Sequence, residues 1–376
     1  MQPKAQVETA CVLWGSMMPE RSHEDLIAQC NEIVRLADLD YAGALSAAKQ
    51  FYQDSVKARL PRQIALAMQT EARVLKRQAD KTAAIRLQNE VIRYLKREQL
   101  NQDLTSAYRV LGQMLYDAMA YFKSLDAWLK SLELAGLEHN VQGTTLAYIG
   151  IGKFYYALGD YTKAIQYHQL AQLAAQTLNR AALNAEININ IAADAFRLRD
   201  FTLAQQALDE AQKALESGYD RPAWLGEVVF YRGMVCFELG QYAESQEFLS
   251  RAYSIYRKCR NSWGEAHALL ALGRAFLKLA EQEHAVECLS VACEICEHHQ
   301  LIALGIEAHE ILAYLYVDLG DNLQALHYHK RLHQLICQSK SEQRSVLRLS
   351  RHAQQRLKEI ETAFELAMLQ ARLTGG

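Results

Sequence analysis

Apolar positions along this chain recur three and four residues apart, the spacing of one face of a helix, and they do so in blocks that repeat. Around the expected turns the chain reads DLDYAGA (38–44), QADKTAA (78–84), AMAYFKS (118–124) and LGDYTKA (158–164). It continues with LRDFTLA (198–204), LGQYAES (239–245), LAEQEHA (279–285) and LGDNLQA (319–325). Successive blocks lie forty residues apart at every step but one, which is forty-one. A period of that length marks stacked supersecondary units, each burying its apolar face against its neighbours. Alternating β-branched runs are scarce, so the pattern predicts eight helical hairpins and no sheet.

Each column of the repeat has a physical reason. A small residue on the second helix runs Ala44, Ala84, Ser124, Ala164, Ala204, Ser245, Ala285, Ala325. It belongs where two helices cross and a larger side chain would push them apart. A second small column, Ala72, Gly112, Gly152, Ala192, Gly233, Gly273, Ala313, falls on the first helix. Glycine inside a helix costs about 1 kcal/mol against alanine, so four glycines in one register predict a close backbone approach. The aromatic column Tyr41, Tyr121, Tyr161, Phe201, Tyr242 follows the turn and can plug the gap between helices. Gly159, Gly240 and Gly320 are placed to supply the left-handed residue that stops a helix.

This pattern resembles the tetratricopeptide repeat (TPR) family, with its L-G-x2-Y, turn, A-x3-F-x2-A signature. The best copy is Ile151-Gly152-x2-Tyr155, Gly159, Tyr161, Ala164, His168, Ala171. The resemblance covers residues 24–335 and implies a right-handed superhelical α-solenoid of about eight hairpins. Two departures stand out: the repeat is forty residues rather than about thirty-four, and the closing proline is missing. Longer helices are expected, as in variants found in bacterial regulators and peptide receptors. The first repeat is degenerate, with Glu32 in the small column, as suits a capping unit.

The organisation read from the sequence is a tail over 1–22, repeats over 23–338 and an amphipathic helix over 339–376. The tail carries an apolar run, Ala10 to Met18, behind a single Lys4. It lacks a basic leader and a small-residue cleavage site, which argues against a secretory signal. In the C-terminal helix Val346, Leu349, Ala353, Ile360, Ala363 and Ala367 fall at heptad spacing, flanked by Leu357 and Phe364. Two readings stay open for it: a cap over the last open face, or a dimerising or signal-carrying helix. Arg356 and Gln370 at core positions weaken a strict coiled coil.

Composition narrows the function. Half the residues are apolar, only 4 are proline, and the net charge of −2 gives no bias toward nucleic acid or membrane. The 8 cysteines are irregularly spaced, which suits buried reduced thiols and the cytoplasm rather than a disulfide framework. No stretch approaches the roughly 20 apolar residues of a membrane span.

Repeats of this kind bind partners along the concave wall made by their first helices, as the resemblance implies. Aligned columns place Tyr116, Tyr156, Phe196 and Phe237 there as an aromatic stripe fading into Leu277 and Val317. Beside it lie Arg73, Lys76, Arg77, Arg109, Gln113, Lys153 and Arg197. Toward the other end come Glu227, Glu238, Glu307, Glu310 and Asp318. Segment 57–109 shares the basic bias, with twelve Lys and Arg against five Asp and Glu. Asn190 is expected to face the groove, where its amide can bond the backbone of an extended peptide. Asn188 falls in a column otherwise held by Met68, Tyr108, Tyr148, Val229 and Leu269, so it is expected to be buried and bonded. The slots of the chaperone-type carboxylate clamp hold Ile149 and Lys153, followed by Asn190, a poor match.

Cys288, Cys293 and Cys296 with His298 and His299 resemble a metal cluster on paper, but on one helix they do not converge tetrahedrally. His329 and His333 lack an evident third ligand. No Gly-rich phosphate loop, nucleophile elbow or credible acid pair is present. No catalytic residue, metal or cofactor is therefore expected. The leading expectation is a non-catalytic protein- or peptide-binding regulatory or adaptor module in bacterial-type cytoplasmic signalling. An alternative is the sensor region of a larger enzyme: Leu373-Thr374-Gly375 resembles the opening of GGDEF diguanylate cyclases, although Ala371 stands where they place Asp. Rap-type peptide pheromone receptors match in length and TPR content. Their N-terminal effector bundle finds no room before repeats that begin near residue 24.

Overall fold

The computed structural model describes residues 23–37, 39–77, 80–217, 221–342, 355, 357–360 and 362. The expected tail 1–22 and all but a few residues of the expected C-terminal helix lie outside them. Between His23 and Glu342 the chain forms sixteen helices: α1 His23–Leu36, α2 Tyr41–Lys57, α3 Pro61–Arg77, α4 Lys81–Arg97, α5 Asn101–Asp117, α6 Tyr121–Leu137, α7 Val141–Ala157 and α8 Tyr161–Ala175. They continue as α9 Ala181–Arg197, α10 Phe201–Glu216, α11 Pro222–Glu238, α12 Tyr242–Lys258, α13 Ser262–Lys278, α14 Gln282–His298, α15 Ile302–Asp318 and α16 Asn322–Glu342. No strand occurs among the described residues. The fold is an all-α repeat solenoid.

The forty-residue period divides into two equal halves. Twelve of the sixteen helices are 17 residues long, and most turns add three. In turn after turn the middle residue takes the left-handed conformation that closes a helix. Gly159, Gly240 and Gly320 do so with φ near 80°, as expected from sequence. Nine other residues do so without being glycine, among them Met119 (φ 58°), Arg199 (φ 62°) and Ala280 (φ 62°). At Gly159 the chain then bonds back, Asp160 N–H to Tyr155 O at 3.0 Å, completing the Schellman pattern. The third turn residue caps the next helix. Asp40, Asp80, Asp160, Asp200 and Asp321 each accept from the backbone N–H three residues on.

Both small columns find their cause, with one correction. All eight residues of the second-helix column are buried. Gly112, Gly233 and Gly273, however, do not meet backbone; each of the three lies beneath a large side chain of the second helix. A Cβ on Gly112 would stand 2.5 Å from the Trp128 ring, and one on Gly273 would stand 2.6 Å from Leu289. Trp128 is 1% exposed and is gripped from the next repeat too, where a Cβ on Gly150 would stand 2.4 Å away. The core is accordingly a series of clusters that bridge neighbouring repeats, such as Leu95, Leu104, Leu111 and Ala127. The chain divides into two compact units, Tyr155–Arg348 and the remainder. Leu357, buried at 6% exposure, belongs to the unit that holds the first repeats.

Candidate binding surface

Within the second unit, α9 touches α11, α11 touches α13 and α13 touches α15. First helices therefore stand side by side as a wall, with second helices behind them. In the first unit α1 and α3 meet in the same way.

The first-unit residues expected on this wall are drawn into local pairings. Arg73 donates to Asn31 Oδ1 at 3.0 Å. Lys76 forms an ion pair with Asp117 on the next first helix, and Gln113 donates to the same carboxylate at 2.8 Å. Lys81 donates to the Asp117 carbonyl at 2.8 Å. Asp117 thus gathers three of the chain's donors and offsets the basic bias. Its position one repeat after Arg77, the neighbour of Lys76, was the available signal. Arg77 is exposed, while Arg109 and Lys153 are half-buried. Tyr116 packs edge-on against Tyr121, ring centres 5.4 Å apart, and against Trp128 at 5.7 Å.

That ring pair recurs along the array, edge-on at two further repeats and tilted at Phe196, and joins two columns read separately in the sequence. Tyr156 meets Tyr161 at 5.3 Å, Phe196 meets Phe201 at 6.1 Å and Phe237 meets Tyr242 at 5.4 Å. The aromatic stripe of the wall is half-buried because each ring closes its own hairpin.

In the second unit the wall residues form one connected group. The Tyr156 hydroxyl is hydrogen-bonded to that of Tyr231, two first helices away, across α9. Phe196 fills the space beneath, 6.0 Å from the Tyr231 ring. Burial pushes the Tyr231 phenol well above its usual range, with Tyr156 adding to the effect. Arg197 is exposed; it donates to the Tyr161 hydroxyl at 2.5 Å and stacks over that ring at 4.8 Å. Asn190 is half-buried and spends one amide hydrogen on the Glu186 carbonyl at 2.7 Å. Tyr231 was missed in the sequence, although it sits two residues before the small column, the same register as Asn190. Asn188 is buried and bonded as expected, donating to Asn184 O at 2.8 Å and accepting from Gln172 at 3.2 Å. Ile149, in the clamp slot, is 2% exposed and cannot touch a ligand.

Behind the wall lies a feature the sequence did not announce. His168 Nδ1 and Asp194 Oδ2 are 2.5 Å apart, with the two side chains 1% and 0% exposed. Burial raises the Asp194 carboxyl above its ordinary value, and His168 pulls against that rise.

Two of the five residues of the expected acidic end are paired within the chain. Glu238 pairs with Arg199 at 2.9 Å and Glu307 pairs with Arg274. Glu310 and Asp318 are exposed. Cys293 and Cys296 are buried, and burial pushes their thiols up to about 12 and about 11. Such protonated thiols pack as small apolar groups rather than as thiolate ligands. Among the described residues no three His, Cys, Asp or Glu side chains are placed to hold a metal.

Two tetratricopeptide repeat family models match the sequence, over residues 227–298 and 146–177. With the hairpin array, these matches show tetratricopeptide-type repeats over both stretches. No curated protein matches it. Among solved structures it is similar to the apo form of RapI (TM-score 0.58, 14% identity, 90% of this chain and 95% of that one). It is also similar to the Rap conjugation gene regulator of plasmid pLS20 in complex with the Phr* peptide (TM-score 0.58, 14% identity, 77% and 78%). A third is a Rap protein complexed with Competence and Sporulation Factor (TM-score 0.53, 13% identity, 85% and 99%). At these identities the likeness is one of fold. Among the described residues no helix is long and apolar enough to cross a membrane.

Proposed function

We propose that this protein is a non-catalytic regulatory or adaptor module of cytoplasmic signalling that binds a protein or peptide segment along its first-helix wall. The organisation into tail 1–22, repeats 23–338 and C-terminal helix 339–376 belongs to the same proposal. The observation that carries it is the connected group on α7, α9 and α11: Tyr156, Asn190, Phe196, Arg197 and Tyr231. It offers ring faces, an amide and a guanidinium on adjacent helices, the chemistry an extended backbone with side chains of mixed character requires. One similar structure, the pLS20 Rap regulator, is in complex with a peptide; the proposal brings that ligand class to this chain. Free thiols at all seven described cysteines suit a reducing compartment.

Binding acts by population shift. A ligand that prefers the wall with the Tyr156–Tyr231 hydrogen bond open biases the spacing of α7, α9 and α11, and only its differential affinity sets how far. The test is selection of peptides from a random phage library on the immobilised protein, followed by calorimetric titration of the enriched sequences. Asn190→Ala and Arg197→Glu are each expected to weaken binding by about 10-fold or more, roughly 1.4 kcal/mol. Enrichment of nothing, or peptides indifferent to both variants, overturns the reading.

A further inference from the structure

The last repeat exposes a face that inner repeats cover. Ile149, Ile189 and Leu270 share one column and are 2%, 4% and 5% exposed, Phe230 between the last two is half-buried, and the next member is exposed Glu310. Leu125 and Ile165 are buried, yet their counterpart Leu326 is 54% exposed. Leu323, at the start of α16, is 81% exposed. Tyr314 and Val317 complete the patch at 60% and 50% exposure. The buried Leu357 of the C-terminal segment belongs to the other unit.

The charges on this face are arranged to meet a copy of themselves. Helices α15 and α16 pack as an antiparallel hairpin, with Tyr314 and His329 level, 5.8 Å between rings. Glu310 is therefore level with His333, one turn from Lys330, and Val317 is level with Leu326. Glu310 and Lys330 are exposed, and among the described residues neither forms an ion pair. A two-fold axis lying in this face, parallel to the helices, sets α15 of one copy on α16 of the other. The two then run antiparallel, as first and second helices do inside each repeat. Glu310 meets the partner subunit's Lys330 and His333, and Tyr314 and Val317 meet the partner subunit's Leu326. Each contact occurs twice, as an isologous interface requires.

We propose that the outer face of the last repeat, α15 and α16, is a homodimer interface whose occupant is a second copy of this chain. Apolar residues at the turn end drive association, and the carboxylate and ammonium at the other end set its register. The proposal places self-association on the last repeat. It does not depend on the peptide-binding reading.

The test is sedimentation equilibrium on the full chain from about 1 to 100 μM, the range a standard interface addresses, with reductant present because Cys337 is exposed. The wild type is expected to dimerise. Leu326→Glu and Glu310→Lys should each raise the dissociation constant about 10-fold or more, and Glu310→Lys with Lys330→Glu should restore it. All three positions are solvent-facing, and circular dichroism verifies that each variant keeps its helices. A wild type that stays monomeric overturns the proposal. So does a Leu326→Glu variant that still dimerises, or a charge swap no tighter than Glu310→Lys alone.

Discussion

His168 stands in a column that holds Trp128, Leu208, Leu249 and Leu289 but also Gln88 and His329, and Asp194 in one that holds Met114, Phe154 and Val235. Two slots that neighbouring repeats fill with apolar side chains carry an ionisable pair here. Their near oxygen and nitrogen are 2.5 Å apart, but His168 Nε2 and Asp194 Oδ1 are buried without a partner. A pair so incompletely satisfied gains less from mutual attraction than it loses by leaving water. Two substitutions separate the terms. Asp194→Val alone strands the imidazole in an apolar core and is expected to cost about 3–5 kcal/mol. Adding His168→Leu restores both columns and should leave the repeat between wild-type stability and about 4 kcal/mol above it. The double variant should therefore exceed the single by at least about 3 kcal/mol. A long repeat array does not unfold in one step, so the assay is native-state hydrogen exchange of the amides in α8 and α9. A single variant within about 1 kcal/mol of wild type refutes the reasoning, and so does a double variant no better protected than the single.

Two further outcomes are expected. Burial against Trp263 and Phe230 pushes the His267 imidazole down to about 4. Its folded form therefore resists protonation. The stability this confers is full above the ordinary histidine value and is lost as pH falls through about 6.5 toward 4, by at most about 3 kcal/mol. Thermal melts across that range should show the loss in wild type and a flatter profile in His267→Phe; parallel profiles contradict the assignment. Ala280 holds a left-handed conformation at φ 62°, which disfavours any Cβ by about 1–2 kcal/mol. Ala280→Gly should gain about 0.5–1 kcal/mol after the added chain entropy is subtracted. A urea midpoint that falls or stays put would count against it.

What the sequence determined by itself was the architecture. A helical hairpin buries the same few positions in every copy, so Ala44 to Ala325 and Gly112 to Gly273 repeat in register and can be aligned without coordinates. Glycine turn ends were legible for the same reason, because backbone geometry selects residue type directly. The nine left-handed turns without glycine were not, since neighbouring helices impose that conformation on residues whose own preference opposes it. The wall was read only in part. Its columns could be aligned, but what each side chain touches depended on partners in other repeats: Asp117 for Lys76, Tyr231 for Tyr156, Asp194 for His168. Burial is periodic and leaves a trace in the sequence. Polar pairing between repeats is set by the distance and angle at which one hairpin stacks on the next, and tertiary structure alone decides that.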